Sequence, residues 1–129
     1  MSKVASVIAL TGLLLVTPAT LAGQQEEPDS STVRAATRTL RSDLRNFLTA
    51  QERYYADHST YASSLHAMRE MYRPSPGVTL VVLTSSDRGH SEIAIDERVP
   101  GLVCAMSIGN DPPFPLGRGS EGEVVCRGP

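Results

Sequence analysis

The sequence predicts an α+β fold, with a long N-terminal amphipathic helix packed on an antiparallel meander of three to four strands. Three observations carry this. Apolar residues recur at three- and four-residue steps from Val33 to Tyr54, the period of one helix face. From Gly77 onward the chain turns β-branched and alternating, in short runs parted by turn-forming stretches. Two cysteines, Cys104 and Cys126, enclose a Pro- and Gly-rich loop near the C-terminus.

Residues 1–22 stand apart from that domain. Lys3 gives a positive start, Val4 to Val16 is almost wholly apolar, Pro18 breaks the run, and Thr20-Leu21-Ala22 supplies small residues at a peptidase site. This is the pattern of a secretory signal peptide cut between Ala22 and Gly23. Its strongest apolar run is about 13 residues, short of the ~20 that span a bilayer, so no stable membrane span is expected after cleavage. No cysteine adjoins the cut, which argues against a lipid anchor. Residues 23–30 are expected to form a flexible leader and residues 31–129 the domain. Without Lys3 the basic residues are eleven arginines against fourteen acids, so no positive field draws nucleic acid. A domain of this size buries a modest core, and export permits a disulfide. Cys104 and Cys126 allow one internal pairing, worth roughly 3 kcal/mol in the chain-entropy model. Intermolecular bridges and free thiols are the rivals.

Taken in order, "DSST" (Asp29 to Thr32) offers N-cap oxygens. The stripe then runs Val33, Ala36, Leu40, Leu44, Phe47, Gln51 and Tyr54, with Leu48 and Tyr55 widening it. Arg34, Arg38, Arg41, Arg45, Glu52 and Arg53 take the other face. No Gly or Pro interrupts Ser31 to Asp57, which predicts a helix of about 27 residues and about 40 Å. A helix so striped needs a partner surface. "DHSTY" (Asp57 to Tyr61) favours a turn. "YASSLHAMREMY" (Tyr61 to Tyr72) resumes a weaker helical pattern through Leu65, Met68 and Tyr72, ended by Pro74 and Pro76. Four strands are predicted: Val78 to Thr84, His90 to Asp96, Leu102 to Ile108, and Glu123 to Cys126. In the second, Ile93 and Ile95 share one face and Glu92, Ala94 and Asp96 the other. Short turns between strands imply an antiparallel meander with the helix on one face.

This order of elements resembles the globular head of type IV pilins and pseudopilins. The residues that carry the likeness are "RSDLRNFLTAQERYYADHSTYASSL" (Arg41 to Leu65), "SSDRGHSEIAI", and the Cys-to-Cys segment "VCAMSIGNDPPFP…EGEVVC". In the family the Gly before the second strand is often followed by Trp; His90 stands in that place. Pilins begin with a hydrophobic helix cut after a Gly, with Glu as the fifth residue beyond. Here Gly12 is followed at that distance by Thr17, and Pro18 ends the apolar stretch. The resemblance therefore implies a pilin head exported by an ordinary signal, without the filament-forming half of the helix. It implies a non-catalytic role with a protein partner in the cell envelope, by docking to a pilus or secretion-type apparatus or in adhesion, and no cofactor. The alternative is a secreted inhibitor or small-ligand binder on the same scaffold. The candidate contact surface comprises Tyr54, Tyr55, Phe114 and Arg118, the last two on the loop from Gly109 to Gly122 that a disulfide would pre-order.

Other motifs have plainer readings. Asp57-His58-Ser59 holds a triad's residue types, but three consecutive residues do not supply its geometry, and a helix C-terminus is expected. Gly117 to Gly122 has dinucleotide-fingerprint spacing but no room for the helix such a site needs. His58, His66 and His90 form no close ligand pair. The arginine row is expected to be a solvated face, interrupted by Asp43.

Overall fold

A computed structural model of the chain describes Gly12, residues 26–109, 114–117 and 119–129. Apart from Gly12, the expected signal peptide and the start of the leader, residues 23–25, lie outside the described residues. Helix α1 runs Ser30–His58, 29 residues, one residue longer at each end than the periodicity predicts. Asp29 is its N-cap: Oδ1 accepts from the Thr32 N–H at 2.7 Å and from the Ser31 hydroxyl at 2.7 Å. At the other end Ser59 adopts φ 57°, and its N–H donates to the Tyr55 carbonyl, an αL stop. Among the described residues no helix is long and apolar enough to cross a membrane.

Four strands follow, β1 (Val78–Ser85), β2 (His90–Asp96), β3 (Val103–Ile108) and β4 (Val125–Arg127). They form one antiparallel sheet in the order β1-β2-β3-β4. β4 begins two residues later than expected, because Val124 turns inward to the core and its carbonyl accepts Arg41 Nη1 at 2.8 Å. The second helical pattern yields only a 3₁₀ turn, His66–Met68. Too few residues lie between the serines and Pro74 to repay helix nucleation. Its apolar positions are nonetheless used: Met68 and Tyr72 are buried, and Tyr72 meets Phe47 edge-on at 5.2 Å.

The helix lies across β2 and β3, and its stripe of Ala36, Leu40, Leu44 and Phe47 is wholly buried. Beneath it sits the Glu92–Ala94–Asp96 face of β2, with the isoleucines turned away. Register explains the choice: Ala94 lies opposite Leu80 and Cys104, and Glu92 opposite Met106, so the large apolar residues of β1 and β3 set the face. Cys104 and Cys126 are bonded directly across the β3–β4 pair, 22 residues apart in sequence. The disulfide encloses the loop, as the resemblance implies.

Two polar residues of α1 pin the connection to β1. Asp43, expected on the solvated face, is buried; Oδ2 accepts the Ser75 N–H at 3.0 Å and Oδ1 the Ser75 hydroxyl at 2.9 Å. Gln51 is buried in the stripe and brackets Ala62, donating to its carbonyl at 3.0 Å and accepting its N–H at 2.8 Å.

Candidate functional site

The Gln51 bracket delivers Tyr61 to the sheet, where its N–H donates to the Ser86 carbonyl at 3.0 Å. The Tyr61 ring lies between Tyr55, centroids 4.7 Å apart, and His90, 4.5 Å apart. Its hydroxyl donates to Glu52 Oε1 at 3.2 Å. Partial burial, then the nearby Glu52 carboxylate, raises the Tyr61 hydroxyl pKa above its ordinary value. Below the ring, His90 Nδ1 and Glu92 Oε2 are 2.7 Å apart with both side chains wholly buried. Neither His90 Nε2 nor Glu92 Oε1 has a hydrogen-bond partner among the described residues. Burial pushes the Glu92 carboxyl above the usual carboxylate range, against the lowering effect of the imidazole. The end of the strand pair is shut by backbone alone. A Cβ on Gly89 would strike the Ile108 carbonyl oxygen, and one on Gly109, at φ 88°, the Arg88 carbonyl oxygen.

The residues expected to form a contact surface are placed separately. Tyr54 is half-buried and stacks on His58, centroids 3.8 Å apart at 10°. Tyr55, also half-buried, turns to Tyr61. The two tyrosines diverge as helix neighbours must, and each is covered by its own aromatic partner. Phe114 is half-buried and folds back on its own loop, close over Gly119. Arg118 lies outside the described residues.

The Asp57-His58-Ser59 string supplies no triad. His58 Nδ1 lies 2.9 Å from the Tyr54 carbonyl oxygen, Ser59 is the helix cap, and Asp57 is exposed. The glycine-rich loop leads into β4, with Glu121 Oε1 accepting the Gly109 N–H at 3.1 Å. Among the described residues no three His, Cys, Asp or Glu side chains gather as metal ligands.

Two features escape the motif reading. The first is the His90–Glu92 pair, visible in the sequence only as two ionisable residues two apart on one strand. The second is the sheet face turned away from α1. Val81 is 44% exposed, Ile95 45%, and Leu83, at the bulge between Val82 and Thr84, 48%. Val81 lies opposite Ile93, and Ile95 opposite Val103. Past the end of this stripe a cleft of about 250 Å³ is lined by Ile95, Val99, Pro100 and Leu102. The arrangement offers apolar contact area, with no nucleophile and base in hydrogen-bond reach of one another among these residues. Neither a protein-family model nor a curated protein matches the chain.

Proposed function

We propose that this is an exported, non-catalytic interaction protein of pilin-like build, which docks to a protein of an envelope-spanning pilus or secretion-type apparatus. The export step rests on the signal-like pattern of residues 1–22. The pilin-like build rests on the order of long helix, antiparallel meander and disulfide-closed loop. The observation that carries the docking role is the exposed part of the sheet face turned from α1, where Val81, Leu83 and Ile95 each stand more than two-fifths exposed. Contiguous apolar surface of this kind marks contact sites. It displaces the emphasis from Tyr54, Tyr55 and Phe114, whose rings are each engaged within the molecule.

The test is site-specific photocrosslinking in the intact envelope from a probe at Val81, compared with one at Arg38 on the exposed helix face. A discrete adduct from position 81, abolished by Ile95→Arg and absent from position 38, supports the reading. No adduct from the sheet face, or equal adducts from both positions, overturns it. The cleft beside Ile95 favours a second reading, a small-ligand binder. Native mass spectrometry of the protein purified from its own cells separates the two, since an apolar molecule of fixed mass released on denaturation favours the ligand.

A further inference from the structure

We propose that His90 and Glu92 form a proton-retaining latch beneath Tyr61, which holds the helix end on the sheet most firmly in mildly acidic medium and loosens on either side of that window. Both side chains are wholly buried and joined by a single 2.7 Å contact. With one ionisable proton between them the pair is neutral wherever that proton sits: imidazole with carboxylic acid, or imidazolium with carboxylate. Removing the proton leaves a lone carboxylate; adding a second leaves a lone imidazolium. Either is an unpaired charge in a buried site, and among the described residues neither His90 Nε2 nor Glu92 Oε1 has a hydrogen-bond partner to absorb it.

The surroundings reinforce this. From β1, Ser85 and Val82 lie opposite the pair, and from β3, Ile108 and Met106; none of them titrates. α1 contributes Glu52, through the Tyr61 hydroxyl, and Tyr55, through its ring. The β3–β4 connection contributes Glu121, whose carboxylate acts on Tyr61.

The unfolded chain has no such constraint. Its histidine and glutamate titrate near about 6.5 and about 4.3. Between these values it carries imidazolium and carboxylate, the same number of protons as the folded pair, so the pair adds no pH dependence. Above about 6.5 the unfolded chain has released a proton that the folded pair keeps, and the folding constant falls about tenfold per pH unit. Below about 4.3 the unfolded chain has gained one that the folded pair refuses, and the constant falls as steeply. The raised Glu92 carboxyl acts on the first limb, since a proton retained in the fold costs stability as pH rises. The part that yields is the strap over the pair. Tyr61 is two residues past the αL cap Ser59 and is tethered to the turn that follows β1 through the Ser86 carbonyl.

The experiment is urea unfolding between about pH 3 and 9 of the wild type, Glu92→Gln, His90→Gln and the double variant, with amide exchange at Tyr61 and Ala62 corrected for intrinsic rates. Glu92→Gln should lose stability only as pH falls below about 6.5, and His90→Gln only as it rises above about 4.3. Relative to the double variant, which keeps only the pH dependence of other groups such as the Asp29 cap, the wild type should show both limbs and a plateau between. Protection at Tyr61 and Ala62 should fall along the wild-type limbs. A wild type that parallels the double variant, or single variants that shift in the same direction, overturns the latch. Should the variants not fold, the wild type alone decides. The NMR shift of the Glu92 carboxyl in the folded protein should stay flat from about pH 5 to 8, and a titration within that range overturns the latch.

Discussion

Gln51 and Asp43 lie in the buried part of α1, and each holds a separate point of the chain between the helix and β1. Replacing Gln51 by Leu keeps the volume but strands the Ala62 N–H and carbonyl in the core. The expected cost is about 2–4 kcal/mol in urea unfolding, since two hydrogen bonds are lost and two groups left unsatisfied. The spacing reveals only that Gln51 falls on the stripe. That its amide fits a backbone segment eleven residues on depends on where that segment returns, which periodicity does not encode. Asp43 carries the same lesson: an acid among arginines suggests a wet face, but a half-turn of helix decides otherwise. At the N-cap, the Ser31 hydroxyl and then the Thr32 N–H hold the Asp29 carboxyl at about 2. The cap's stabilisation is present above the ordinary carboxylate range and is lost as pH falls towards 2. Circular dichroism of wild type against Asp29→Asn should differ progressively over that descent, because the amide keeps an acceptor but does not titrate.

Among the elements, the helix and the first three strands were legible within a residue or two, because periods of 3.6 and 2 are long enough there to be unambiguous. The short elements were not. The segment through His66 and Met68 has apolar spacing but too little length, and tertiary packing of Met68 and Tyr72 replaces the helix that spacing alone suggests. β4 is three residues long and is tied in place by its disulfide as well as its backbone pairing. A Cys104→Ser/Cys126→Ser variant is expected to lose about 3 kcal/mol. Amide exchange should show β4 losing protection while β1, β2 and the middle of α1 keep theirs. Uniform loss across all strands would mean that the bridge supports the whole sheet.

Among the described residues α1 covers one face of the sheet, and on the other Val81, Leu83 and Ile95 are left exposed while Ser91, Ala105 and Ser107 are buried. Antiparallel sheets tolerate one solvated face, and such faces are ordinarily polar; here Val81, Leu83 and Ile95 break that habit. A Val81→Arg/Ile95→Arg variant should fold with stability within about 0.5 kcal/mol of wild type, as surface changes usually do. With the crosslinking probe moved to Leu83 in this variant, the partner adduct should be lost. A large drop in melting temperature would instead show that the face supports the fold.

The sequence by itself determined the α+β class, the helix and its buried stripe, the meander and the one internal pairing open to its two cysteines, which the structure shows formed. Those follow from local period, turn chemistry and the arithmetic of two thiols. The tertiary structure decided which face of β2 the helix covers. Strand alternation states only that Glu92 and Ile93 face opposite ways, and it is the register with Leu80, Cys104 and Met106 that selects between them. That one choice buries His90 and Glu92 under Tyr61 and leaves Ile95 in the open, and so underlies both the proposed latch and the proposed docking face.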